Sequence, residues 1–361
     1  MPQTNSNRID QPTAIRSGET LNIHALENYL RKHIATKDAL TIEQFPSGFS
    51  NLTYLLRFGE RELVLRRPPF GANIKSAHDM SREYHILSHL VTVYPKVPKP
   101  LFFCEDDAII GAPFYVMERV KGVILRAQML ESEYPAPQQM AKAANALVTT
   151  FVELHAVDYQ AAGLGDLGRP QGYVQRQIEG WIKRYHHART DDISEVEKLA
   201  AWLSVNIPPD GKTALIHNDF KYDNLVLNPA DWSEVIAVLD WEMATLGDPL
   251  MDLGTSLAYW IDVNDPPLLQ QLKFSPTTVP GGFSRAEMAE AYARLSGDDL
   301  VNIVFYYVYG LYKIAVIGQQ IYARYKKGLT KDQRFAGLIH AVRACSTLGV
   351  QAIAKKRIDN L

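Results

Sequence analysis

Residues 215–252 constrain this chain more than any other stretch. They read LIHNDFKYDNLVLNPADWSEVIAVLDWEMATLGDPLMD. Three short apolar runs, at 214–216, 225–227 and 235–239, alternate with polar segments. The alternation predicts strand, loop, strand, turn, strand, with residues 228–234 as the turn. Carboxylates and an amide fall where the strands stop. Asp219 and Asn224 share the loop at 217–224, and Asp240 ends the third run. Ordinary turn formers would also be Asp and Asn, but turn formation alone does not explain why every such group falls at a strand end.

Phosphoryl transfer needs this set of groups. A carboxylate must orient and accept the proton of an attacking hydroxyl, and oxygen ligands must hold Mg²⁺ against nucleotide phosphates. On this reading Asp219 is the base, Asn224 and Asp240 are the metal ligands, and His217 braces the loop. The spacing His-x-Asp-x-x-x-x-Asn is loose by itself. The apolar strand that follows it, ending in Asp at a hairpin's distance, sharpens it.

HNDFKYDN followed by VLDWEMATLGDPLMDLG resembles the aminoglycoside phosphotransferase-like family, whose members are kinase-like. The match is to the branch related to the phosphotransferase domain fused to acyl-CoA dehydrogenases. The resemblance runs from about Leu40 into the C-terminal helices. It implies an α+β, bilobal protein-kinase-like fold: a small antiparallel-sheet N-lobe and a larger, mainly helical C-lobe. It also implies ATP and Mg²⁺ as cofactors and a small-molecule hydroxyl as acceptor. The expected division is a flexible tail over 1–20, an N-lobe over 21–118, a hinge over 119–122 and a C-lobe over 123–361.

The N-lobe residues are readable on their own terms. Apolar spacing predicts a helix over 23–34, and strands follow at 40–45, 52–58 and 62–66. The turn at 46–51 holds a single Gly, so a phosphate role for Ser47, Gly48 and Asn51 rests on the resemblance, which implies a nucleotide-covering loop there. The resemblance also implies a phosphate-binding Lys on the third strand, where this chain has Arg66. Arg keeps the charge and adds a planar fork. Alternation along the strand favours Arg66 over Arg67, because Arg66 shares a face with Val64. A helix over 77–91 could aim Glu83 at Arg66 and fix its guanidinium. Strands are expected at 101–104 and 114–119. The segment FYVMERVKG implies the hinge, with Met117 behind the base and Glu118, Arg119 and Val120 offering main-chain hydrogen bonds. Gly122 would free the backbone at the lobe crossing.

Helical patterns cover 137–157, 173–188 and a stretch ending near Val205. Asp248 reads as an N-cap, Pro249 as a first helical residue, and Asp252 as a support for the loop and helix start. Ser284 opens a capping box with Glu287. Long helices are expected over 299–326 and 332–357, the first rich in tyrosines that pack a core.

Charge and cysteines bound the function. The 361 residues carry a net charge of −2, which gives no reason to expect nucleic-acid binding. Cys104 and Cys345 are too few for a disulfide framework and suit a reduced, cytoplasmic setting. No apolar run is long enough to span a membrane. Residues 301–361 hold ten Lys or Arg against two Asp, which favours a neutral or anionic acceptor over a polycation. The branch resembled suggests a hydroxyacyl-CoA. Alternatives are a non-catalytic nucleotide-binding module and an aminoglycoside or choline-type kinase. A protein kinase is disfavoured, since Asp-Phe-Gly and Ala-Pro-Glu are missing. The sequence does not give the oligomeric state.

Overall fold

The computed structural model describes residues 9–46, 51–71, 79–127, 129–272, 274–330 and 332–361. Five strands form one antiparallel sheet: β1 (Leu40–Gln44), β2 (Leu52–Phe58), β3 (Arg61–Arg67), β4 (Pro100–Cys104) and β5 (Phe114–Glu118). Their spatial order is β1-β2-β3-β5-β4. Alternation decides what each face meets. Tyr54, Leu56, Leu63 and Leu65 pack one face against Leu26 and Leu30 of α1 (Ile23–Leu30). Leu55 and Val64 face the other way, toward Ile86 and Leu87 of α2 (Met80–Leu90).

Helix α1 is shorter than its apolar spacing predicts. Asn22 caps it by accepting from the Ala25 N–H at 3.2 Å. At the far end Arg31 donates to the Thr36 and Asp38 carbonyls, drawing the chain back toward β1. The helix over 77–91 is observed from Met80, with Asp79 accepting from the Arg82 N–H at 3.1 Å.

The stretch at 214–252 does not make one meander. Strand β7 (Leu225–Leu227) pairs with β8 (Val235–Val238) as a hairpin. Strand β6 (Ala214–Ile216) instead pairs with β9 (Thr245–Gly247), which the sequence reading did not predict. The loop after β6 turns away, so the ladder groups of β6 are met by a segment from beyond Asp240.

The helical part comprises α3 (Pro137–His155), α4 (Tyr173–Ala188), α5 (Ser194–Val205), α6 (Pro249–Ala258), α7 (Pro267–Leu272), α8 (Arg285–Ser296), α9 (Ile303–Lys326) and α10 (Leu338–Lys355). The expected caps are present. Asp248 accepts from the Leu250 N–H at 2.8 Å, and Ser284 and Glu287 form the capping box. Helix α9 buries Phe305, Tyr306, Tyr307, Tyr309 and Tyr312 in the core, as its pattern predicts.

Residues 9–19, expected as part of a flexible tail, are tied down. Ile9 bridges to Val123, and Thr13 exchanges both backbone hydrogen bonds with Gln44. Arg16 and Glu19 both reach the Gln44 amide. The polar composition hid this, because backbone pairing leaves little side-chain signature. Gly122 also differs from its expected role. A Cβ there would collide with the Leu227 carbonyl and the Val226 side chain, so close packing rather than backbone freedom requires glycine.

Candidate active site

The loop after β6 is held from below. The Asp252 carboxylate, fully buried in the first turn of α6, accepts from the His217 N–H at 2.6 Å and the Asn218 N–H at 2.8 Å. Burial alone would raise that carboxyl, but His155 and His217 beside it hold it lower than usual. His217 Nε2 donates to the Leu239 carbonyl at 2.9 Å, which leaves Nδ1 to accept from the Asp219 N–H at 3.3 Å. Burial pushes the imidazole pKa down, so the ring is a neutral brace, as the sequence reading expected. From α9, Lys313 donates to the Asn218 carbonyl at 2.8 Å.

These supports present Asp219 and Asn224 together. The Asn224 Nδ2 donates to the Asp219 carbonyl at 2.8 Å and to its Oδ2 at 2.9 Å. With its nitrogen so engaged, Asn224 has its Oδ1 left for a cation. Lys221 donates to both Asp219 carboxylate oxygens, at 2.7 and 2.6 Å. Burial would raise the Asp219 carboxyl; the Lys221 ammonium outweighs it, and the net shift is downward. Asp219 is therefore a carboxylate at neutral pH.

The Leu239 N–H donates to the Asn224 carbonyl at 2.8 Å, which brings Asp240 alongside. Asp240 has a left-handed backbone, φ 66°. Its Oδ1 accepts from Arg66 Nη2 at 2.9 Å. Arg66 Nη1 donates to Glu83, the pair the sequence reading expected. Burial disfavours the Arg66 charge, yet Glu83 and Asp240 outweigh it and raise its pKa further. Arg67 points to the opposite face, donates to the Ile110 carbonyl at 2.8 Å and lies over Phe70.

A cleft runs from these residues to the crossing between sheet and helices. Arg66, Glu83, Asn224 and Asp240 line it together with Met117, Glu118, Arg119 and Val120. Met117 lies beside Val64 across the β3–β5 ladder, so together they form an apolar wall. The Glu118 N–H is already given to the Lys99 carbonyl. Arg119 turns its side chain to Glu62 at 2.7 Å. Asp219 stands one hydrogen bond behind Asn224 rather than on the cleft wall itself.

Asn51 differs from its expected place on the phosphates. Its amide donates to the Glu242 carboxylate, joining the sheet to the segment after Asp240. Ser47 and Gly48 lie outside the described residues.

The sequence reading missed three site residues. Lys221 is two positions after Asp219, which puts its amine back on the carboxylate. Glu242 lies 3.6 Å from Arg66. Lys313 is nearly a hundred positions away, and no local pattern marks it. Among the described residues, no group of three or more His, Cys, Asp or Glu is arranged to hold a metal. The donor set that exists, one amide oxygen and one carboxylate, suits a hard cation completing its shell with phosphate and water oxygens.

The chain is similar to known proteins in sequence and in fold. A model of the phosphotransferase enzyme family matches residues 41–290. Acyl-CoA dehydrogenase family member 10 of Mus musculus is 37% identical over 304 residues, covering 83% of this chain and 28% of that protein. Member 11 of Homo sapiens is 35% identical over 335 residues, covering 91% of this chain and 42% of that protein. The chain thus spans less than half the length of these relatives. Among solved structures, a candidate aminoglycoside phosphotransferase from Ralstonia eutropha is 31% identical, with TM-score 0.78, covering 93% of this chain and 99% of that one. A spectinomycin phosphotransferase bound to ADP and spectinomycin, 12% identical with TM-score 0.59, covers 91% of this chain and 98% of its own; it shows the shared kinase-like fold.

Proposed function

This chain belongs to the phosphotransferase enzyme family, and on that premise we propose that it moves the γ-phosphate of ATP, with Mg²⁺, to a hydroxyl of a small molecule. One observation carries the reading. Asn224, hydrogen-bonded to Asp219 at 2.9 Å, and Asp240, bonded to Arg66 at 2.9 Å, line the same cleft.

Asp219 orients the acceptor hydroxyl and takes its proton. Its lowered pKa keeps it ionised for that task, and the adjacent Lys221 offsets negative charge where the phosphoryl group arrives. Asn224 Oδ1 and the Asp240 carboxylate would hold Mg²⁺, which supplies charge neutralisation on the phosphate oxygens when bound. Arg66, steadied by Glu83, would bring its guanidinium charge to the α- and β-phosphates from the cleft wall. The apolar wall of Val64 and Met117 takes the base. Catalysis on this plan is positioning and charge compensation.

The acceptor we favour is a hydroxyacyl group, as its CoA thioester. The acyl-CoA dehydrogenase relatives and the surplus of Lys and Arg over 301–361 support an anionic acyl substrate.

Phosphate transfer should be measured against hydroxyacyl-CoAs, aminoglycosides, choline and amino-alcohols. Asp219→Ala is expected to lower turnover about 10²–10⁴-fold with nucleotide affinity within a few-fold. Asp240→Ala is expected to weaken Mg-nucleotide binding itself. Equal and mild effects from both variants would contradict the division of labour between a base and a metal ligand.

A further inference from the structure

The segment before α1 supplies a residue to the cleft. Asp10 lies on its wall, beside Val120 and Gly122 on one side and Asp223 on the other. Its placement is fixed on both sides by backbone pairing. The Asp10 N–H donates to the Gly122 carbonyl at 3.3 Å, and the neighbouring Ile9 bridges to Val123. Val123 in turn exchanges hydrogen bonds with Leu227 of β7, at 3.0 and 2.8 Å. Arg119 Nη2 donates to the Asp10 carbonyl at 2.6 Å. The carboxylate is aimed as well. Arg126 Nη2 meets its Oδ1 at 2.9 Å, and the same guanidinium donates to the Asp223 carbonyl at 3.3 Å. Oδ2 has no partner among the described residues.

We propose that Asp10 binds the ribose hydroxyls of the nucleotide, so that the N-terminal segment completes the nucleotide site. The proposal rests on the phosphotransferase reading above and deepens it. The neighbours of Asp10 on either side decide the ligand group. The backbone bond to Gly122 sets it next to 118–120, which take the base on the reading above. Arg126 ties it to Asp223, next to the groups that take the phosphates. Asp10 lies between hinge and catalytic loop, and Asp223 immediately precedes the proposed metal ligand Asn224. A carboxylate is repelled by the triphosphate, so what it faces must be neutral and rich in donors. A vicinal diol is such a group, and a fixed carboxylate accepts from it by charge-assisted hydrogen bonds. Arg126 holds the carboxylate and neutralises it, which reduces the repulsion that distant phosphates would otherwise exert.

The test compares dissociation constants by calorimetry for Mg-ATP, its 2′-deoxy and 3′-deoxy analogues, and the guanine series, on the full chain. The wild type should bind the ribonucleotide about tenfold tighter than at least one deoxy analogue. Asp10→Ala should bring that ratio to about one, chiefly by weakening the ribonucleotide, while Asp10→Asn, which keeps an acceptor oxygen, should retain part of it. Thermal melting of both variants shows whether the fold is intact. If the wild type does not discriminate, or if Asp10→Ala shifts every nucleotide by one common factor in either direction, Asp10 does not read the sugar. In that outcome the phosphotransferase reading stands. If the wild type binds no nucleotide in either series, both fall together.

Discussion

Asn218 and Asp240 share a left-handed backbone, φ 67° and 66°, and neither is glycine. Asn and Asp tolerate this region better than other residues, and such conformations persist where their surroundings fix them. Asp252, Lys313 and the Tyr173 hydroxyl fix Asn218; Arg66 holds the Asp240 side chain. Two predictions belong at this scale. Lys221→Met removes the charge that does most to hold the Asp219 carboxyl down, leaving Lys313 and the Asn224 hydrogen bond as the weaker opposition to burial. The acid limb of the pH profile of kcat/KM should then move to higher pH than in the wild type; an unmoved limb would deny Lys221 that part. Lys313 is buried, and burial brings its pKa down to about 8 from an ordinary lysine's 10.5, against the opposing pull of Asp252 and Asp219. Between these values the unfolded chain binds more protons than the folded one, so Lys313 makes stability rise with pH across that window. The full penalty applies below pH 8, and the total rise is at most about 3 kcal/mol. Urea midpoints measured across the window should climb in the wild type and climb less in Lys313→Met.

Helix α6, which carries Asp252 beneath the loop, is held close to α9 by two glycines. A Cβ on Gly254 would overlap the Tyr306 carbonyl, and one on Gly310 would overlap the Gly254 carbonyl. The backbones touch, and this brings Lys313 within reach of Asn218. Gly254→Ala or Gly310→Ala should force the helices apart and cost about 3 kcal/mol, read from urea unfolding. Turnover should fall in the same variants, because the loop loses its platform. A Gly310→Ala protein with wild-type stability would refute the close crossing. Element by element, legibility followed local chemistry. The caps at Asp248 and Ser284 were readable because each satisfies its own helix N–H groups within three residues. Helix α7, only six residues long, and strand β9, only three, carry too little periodicity to read. The partnership of β9 with β6 is set by where the loop goes, not by either strand's residues.

At the scale of the whole molecule, side chains from the sheet and α2 grip the segment after β8. Arg66 holds Asp240, Asn51 holds Glu242, and Arg82 donates to the Glu242 carbonyl at 3.1 Å and to that of Ala244. The proposed nucleotide would bridge the same parts, so it should stabilise the fold by mass action. At one hundred times its dissociation constant, Mg-ATP should add about 2.7 kcal/mol and raise the melting temperature. Asp240→Ala should lose most of that rise, and chelating Mg²⁺ should mimic the variant in the wild type; a nucleotide shift indifferent to both would remove Asp240 from the metal's shell. Among the described residues, no helix is long and apolar enough to cross a membrane. The positive surplus over 301–361 is one charge smaller at the surface than its composition suggests, since Lys313 lies inside. The residues of the loop after β6 and the strand ends that carry Asp219, Asn224 and Asp240 were determined by sequence alone, because hairpins place side chains by short-range geometry; the Arg66–Glu83 pair was expected only through the family resemblance. Only tertiary structure decided that Lys221 neutralises Asp219, that Lys313 props Asn218 from another helix, and that Asp10 lies on the cleft wall. Those placements come from packing and backbone pairing between distant segments, and no local pattern of side chains encodes which distant backbone a strand or helix will meet.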